Sequence, residues 1–156
     1  MLFRSSVVLG AASPHVIDVA AAYATFAAQG VYAAPWYITE VDGANGGVLY
    51  QATPPTPNIV FTKDVMADLT FALQQVVNNG TATYGTAGLG RPAAGKTGTT
   101  NDSAAVWFDG FTPDMAAAVW VGDPRGGSAY PMKNITINGV HYDQRSEEHT
   151  SELQSH

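Results

Sequence analysis

The stretch Gly90-Arg91-Pro92-Ala93-Ala94-Gly95-Lys96-Thr97-Gly98-Thr99 decides the fold, because it supports two incompatible readings. Its first eight residues match the phosphate-binding pattern G-x-x-x-x-G-K-[ST] letter for letter. Further on, Ala117-Ala118-Val119-Trp120-Val121-Gly122-Asp123 can pass for the apolar strand whose acidic end holds magnesium. The pattern binds phosphate only where a buried strand feeds the loop and a helix begins at its lysine. Upstream, residues 81–89 are glycine-rich and lack an apolar run; downstream, Thr97-Gly98-Thr99-Thr100-Asn101-Asp102-Ser103 is a poor helix former. Neither flank suits a nucleotide site, which stays as the alternative from another functional class.

With strand geometry the same residues make a different kind of site. Alternate side chains of an extended segment point the same way, so Thr97 and Thr99 project together as two hydroxyls. Gly98 leaves one point bare, where a ligand backbone can lie against a strand edge. Lys96 adds a positive charge from the opposite side or the strand start. Such an edge suits a carboxylate, since charge-assisted hydrogen bonds contribute about 1.5–3 kcal/mol each.

Three strand candidates surround this motif, near 95–99, 104–111 and 115–122, and Thr112-Pro113-Asp114 joins the last two as an antiparallel hairpin. A helix is expected after Ser13-Pro14, with the serine as its cap, Asp18 in its first turn and Gly30 at its stop. Its apolar residues cover most of the circumference, which predicts burial on more than one side. Trp36-Tyr37-Ile38-Thr39-Glu40-Val41 and Val48-Leu49-Tyr50 form a predicted hairpin across a glycine-rich turn. Pro54-Pro55-Thr56-Pro57 is a loop. Thr62 caps a second helix that ends at Asn78-Asn79-Gly80, and residues 81–92 look mobile.

The bulk numbers narrow the classes. Apolar residues make up 46% and charged residues 13% of 156, which excludes a disordered chain or a coiled coil. Seven basic against thirteen acidic residues give a net charge of −6, and without a basic cluster no nucleic-acid partner is expected. The absence of cysteine removes disulfides and thiolate chemistry. His15, His141, His149 and His156 have no metal-ligand spacing, so no metal or other cofactor is expected. No apolar run reaches the roughly 18 residues of a membrane span, and residues 1–12 make a poor signal peptide.

The last twelve residues, Arg-Ser-Glu-Glu-His-Thr-Ser-Glu-Leu-Gln-Ser-His, differ in composition from everything before them. They resemble the translation of a short-read sequencing adapter. The expected organisation is therefore residues 1–144 as native chain and 145–156 as a non-native tail, excluded from fold reasoning.

Lys-Thr-Gly is one of three signatures of serine β-lactamases and penicillin-binding proteins. Beside it stand Leu9-Gly10-Ala11-Ala12-Ser13-Pro14, Ala22-Tyr23-Ala24-Thr25-Phe26-Ala27-Ala28-Gln29-Gly30, Trp107-Phe108-Asp109-Gly110-Phe111-Thr112-Pro113 and Ala118-Val119-Trp120-Val121-Gly122. In this order, residues 5–144 resemble the C-terminal part of the transpeptidase domain of class A (bifunctional) penicillin-binding proteins. The Trp-Phe-Asp-Gly-Phe-Thr-Pro run favours the cell-wall enzyme over a β-lactamase.

The resemblance implies an α+β, β-lactamase/transpeptidase-like fold: a five-stranded antiparallel sheet flanked by helices, here partial and without the nucleophile-bearing helical region. It implies a peptidoglycan D,D-transpeptidase, in which a serine attacks a D-alanyl-D-alanine stem peptide and the acyl-enzyme passes to a neighbouring stem. β-Lactams trap the same serine. Lys96 would orient the carboxylate and assist proton traffic, the Thr97 and Thr99 hydroxyls would bind it, Gly98 would admit it, and the Thr99 N–H would be an oxyanion donor. The expected setting is the extracytoplasmic face of the bacterial membrane, with the anchor in a part upstream of this chain. None of Ser5, Ser6, Ser13, Ser103, Ser128, Ser146, Ser151 and Ser155 has lysine three places on or asparagine two places on. The chain alone is therefore expected to be inactive, and to expose apolar surface that the intact domain buries. Asn101, Asp102, Tyr84 and Arg125 are secondary candidates for ligand contact, with turn or surface roles the plainer expectation.

Overall fold

The computed structural model describes residues 12–100, 104–126, 129–132, 135–137 and 139–142. At its centre is a three-stranded antiparallel sheet of β5 (Ala94–Thr99), β6 (Ala105–Thr112) and β7 (Met115–Gly122), in that order. Pro113 and Asp114 alone separate the paired residues Thr112 and Met115, so β6 and β7 stay in register along their full length. The turn is fastened from within: the Thr112 hydroxyl donates to Asp114 Oδ1 at 2.8 Å, and Arg91 donates to the same oxygen at 2.7 Å. Thr112 and Arg91 together hold the Asp114 carboxyl below the usual carboxylate range.

The β5–β6 pairing depends on residues that lack side chains. Gly95 lies opposite Gly110, and a Cβ on Gly95 would come within 2.8 Å of the Asp109 carbonyl oxygen and 3.1 Å of the Gly110 Cα. Small residues are required there for two backbones to meet.

Helix α1 (Val16–Ala27) packs across β6 and β7, while α2 (Lys63–Asn79) packs against β5. Tyr23 and Phe26 of α1 meet Phe111 of β6 with ring centroids 6.4 and 6.5 Å apart, in edge-on geometry. Phe61, just ahead of α2, adds a ring 6.4 Å from Phe26. Edge-on pairs of this kind contribute about 0.5–1.5 kcal/mol beyond the area they bury. Among the described residues, the other buried apolar side chains are Met66 and Val77 of α2, Ala82, Ala94 and Ala105.

Helix ends depart from the sequence expectation. The cap position of α1 is His15, not Ser13, and it makes no side-chain bond; its carbonyl accepts the first N–H groups, from Asp18 and Val19. Ser13 stands two positions upstream of that cap. Thr62 is at the cap of α2 as expected, yet its hydroxyl makes no capping bond. At the end of α1 both Gln29 (φ 54) and Gly30 (φ 91) are left-handed, and the Gly30 N–H returns to the Thr25 carbonyl at 2.8 Å. A Cβ on Gly30 would collide with the Phe61 carbonyl, so glycine is needed for both conformation and space. Burial of α1 on several sides is not found. Thr25 is its one buried residue, and Val16 and Ile17 are 40% exposed, because one sheet covers one face.

Smaller pairings complete the chain. β2 (Glu40–Asp42) pairs with β3 (Val48–Gln51), so the predicted strand over 36–41 keeps its end only. One more bond, from Ala52 N–H to the Thr39 carbonyl, prolongs this ladder; Pro54 lies just beyond and has no N–H to donate. β1 (Val31–Tyr32) pairs with β4 (Asn58–Ile59), and β8 (Ile135–Ile137) with β9 (Val140–Tyr142). Neither pairing was expected, although Ile135-Thr136-Ile137 alternates and Asn138-Gly139 is a hairpin dipeptide. The segment expected to be a mobile loop contains a short helix, α3 (Thr83–Thr86). Threonine hydroxyls tie that turn down, with Thr83 donating to the Gly80 carbonyl and Thr86 to the Ala82 carbonyl. Among the described residues, no helix is long and apolar enough to cross a membrane.

Candidate functional site

The Lys96-Thr97-Gly98-Thr99 segment lies inside β5, and β5 is a terminal strand of its sheet. No helix begins at Lys96 or Thr97, and the Gly95 backbone is in the ladder opposite Gly110. The nucleotide-binding alternative is overturned by this placement, since a phosphate loop needs free N–H groups at a helix start. Asp123, its would-be magnesium ligand, is taken by Arg125, whose Nε and Nη2 reach the two carboxylate oxygens at 2.9 and 2.7 Å. That grip lowers the Asp123 carboxyl to about 2. Arg125 also lies 3.9 Å from the Tyr130 ring centroid, so its charge is engaged within its own turn.

The strand sorts the four site residues by face. Lys96 and Gly98 lie opposite Asp109 and Trp107, while Thr97 and Thr99 lie opposite Phe108 and Val106. By alternation the two threonines share one face and Lys96 belongs to the other. Lys96 is exposed, and its side chain bends along the strand so that Nζ donates to the Thr97 carbonyl at 2.8 Å. The same nitrogen is 3.4 Å from Thr97 Oγ1. Thr97 Oγ1 is also 2.6 Å from Thr81 Oγ1, a bond in which either hydroxyl can donate. Thr100 closes the far end, its N–H and hydroxyl both bonding the Ala105 carbonyl.

Gly98 and Gly95 differ instructively. Among the described residues, a Cβ on Gly98 would meet only the Trp107 Cβ, at 3.4 Å, an ordinary van der Waals contact. The packing of this chain therefore demands a glycine at 95 but not at 98. The bare position at 98 suits close approach by something outside the sheet.

Asp109 is the notable group that sequence reasoning passed over. Its Oδ1 is buried without a hydrogen-bond partner, and burial pushes its carboxyl up to about 6. Burial, and then the charge of Asp109, pushes the Tyr23 hydroxyl up to about 12. Although Asp109 is directly across from Lys96, the two form no ion pair, because Lys96 is turned to Thr97. An acid between Phe108 and Gly110 in an otherwise apolar strand was the available signal.

His15 is exposed at the helix start. Asn101 and Asp102 lie outside the described residues, as do the tail 145–156 and the side chain of Tyr84. Among the described residues, no group of three or more His, Asp or Glu is placed to hold a metal ion.

Comparison with known proteins agrees with the resemblance. Residues 12–133 match the model of the penicillin-binding protein transpeptidase domain. The chain is 37% identical over 128 residues to penicillin-binding protein 1A of Mycolicibacterium smegmatis, a match covering 79% of this chain and 16% of that protein. It is 39% identical over 130 residues to penicillin-binding protein 1A of Mycobacterium tuberculosis, again over 79% of the chain and 16% of the relative. The solved structure of penicillin-binding protein PonA1 from Mycobacterium tuberculosis superposes with a TM-score of 0.70 at 36% identity, over 89% of this chain and 36% of that one. The chain thus spans about a sixth of the length of the curated relatives it matches. The antiparallel sheet with its two packed helices is part of the β-lactamase-like transpeptidase fold, and the chain belongs to the penicillin-binding protein transpeptidase family.

Proposed function

We propose that residues 1–144 are the C-terminal part of a peptidoglycan D,D-transpeptidase domain, and that β5 is the edge on which the acyl donor docks. Residues 145–156 are a non-native tail. The observation that carries the docking role is Gly98: a bare position on a terminal strand that the chain's own packing does not require, beside an exposed lysine. A stem peptide ending in D-alanyl-D-alanine, or a β-lactam, places its carboxylate near Lys96 and the hydroxyls of Thr97 and Thr99. The Thr99 N–H is one oxyanion donor, a contribution of about 10²–10³ in rate for such groups. The serine nucleophile, its partner lysine and the second serine motif come from sequence upstream, as does any membrane anchor. The reaction takes place at the extracytoplasmic face of the membrane.

In this reading the isolated chain is inactive and poorly soluble. Exposed Trp36, Tyr37, Leu49, Phe71 and Ile59 support the second point. The test is labelling with a fluorescent penicillin. The chain alone should take up no covalent label. The same chain continued upstream through an S-x-x-K motif should be labelled, and Lys96→Ala should abolish that labelling. A covalent adduct on the isolated chain would show that the nucleophile has been misplaced.

A further inference from the structure

The Thr81–Thr97 contact joins residues far apart in sequence and brings a second hydroxyl to the docking strand. Thr81 is rigidly held. It follows Gly80, whose added Cβ would come within 2.9 Å of the Val76 Cα at the last turn of α2. After it, the Ala82 N–H bonds the Val76 carbonyl at 3.1 Å, and Ala82 is 3% exposed. The Thr83 hydroxyl then anchors to the Gly80 carbonyl at 2.8 Å. With both neighbours fixed, the Thr81 side chain meets β5 through a 2.6 Å bond between half-buried oxygens.

Proton counting gives this contact a direction. A threonine hydroxyl has one proton and two lone pairs, and a carboxylate only accepts. If Thr97 spends its proton on Thr81, it can offer an incoming carboxylate nothing but lone pairs. If Thr81 donates to Thr97, the Thr97 proton is released for the ligand. Lys96 Nζ, which only donates, approaches Thr97 Oγ1 at 3.4 Å and leaves its second lone pair open to the Thr81 proton.

We infer that Thr81 is a positioning residue for the docking strand: it donates to Thr97 Oγ1 and so aims the Thr97 proton at the carboxylate of the acyl donor. The inference rests on the proposed role of β5. Its test uses the transpeptidase domain carried upstream through the nucleophile motif, with the rate of acylation by a penicillin and by its carboxylate methyl ester as readouts. Thr81→Val keeps the shape and removes the donor; acylation by the free acid should slow about tenfold, the equivalent of one hydrogen bond. Acylation by the ester should be unchanged, and Thr81→Ser should restore the rate on the acid. An equal loss on acid and ester would reduce Thr81 to a structural part and overturn the inference. So would a fully active Thr81→Val beside a slowed Thr97→Val, which leaves the role of β5 standing. A Thr97→Val that acylates normally would instead remove the carboxylate role of β5 itself.

Discussion

The β6–β7 hairpin and the β2–β3 hairpin are built on the same antiparallel pattern, but only one of them has been covered. In β6–β7, eight-residue strands meet across Pro113-Asp114, α1 lies over one face, and Phe111 is 8% exposed. In β2–β3, strands of three and four residues have no buried position, and Leu49 is 73% exposed. The uncovered hairpin is itself mostly apolar in sequence: Val41, Val48, Leu49 and Tyr50 are all in its strands. What separates the two is the helix laid across one of them. A strand pattern reports what can be buried, and the neighbouring element decides what is.

Mutation can break that contrast or make it sharper. The largest effect is expected from Phe111→Ala, which empties the site shared with Tyr23 and Phe26; a loss of about 3–5 kcal/mol should appear in urea denaturation. Gly95→Val comes next, at about 1–3 kcal/mol by overpacking against the Asp109 carbonyl, with the same measurement.

Asp109→Asn should move the other way and depend on pH. Its carboxyl sits at about 6 in the fold against 3.8 ordinarily, so the folded state keeps its proton while the unfolded chain loses it. Stability contributed by this group is full below about pH 4 and is lost as pH rises through about 6. The asparagine variant should therefore melt higher than the parent above pH 6, with the advantage vanishing toward pH 4. The smallest effect belongs to the uncovered hairpin, where Leu49→Ser should stay within about 0.5 kcal/mol. A loss near that of Phe111→Ala would mean that β2–β3 is covered after all.

Much of the central sheet could be read from the chain, because Lys96-Thr97-Gly98-Thr99, the β-rich runs and the Pro113-Asp114 turn each speak locally. The stop of α2 at Gly80 and the left-handed Gly30 were legible for the same reason. Features decided at a distance were not. The shortened strand at 40–42 depends on Pro54 across the ladder, and α3 depends on hydroxyls reaching back to Gly80 and Ala82. The Thr81–Thr97 bond needs α2 packed against β5 before the two residues can meet. Asp109 had a local signal, but its isolation shows only once α1 and the sheet enclose it.

The facing glycines of β5 and β6 also act as an alignment key. If β5 slid by one place along β6, Ala94 or Lys96 would arrive opposite Gly110, at the place where the Asp109 carbonyl, the Gly110 Cα and the Phe108 ring already press on any added carbon. The same slip would exchange the two faces of the strand, sending the ammonium to the threonine side. Two residues with no side chains thereby decide on which surface the charged one is displayed.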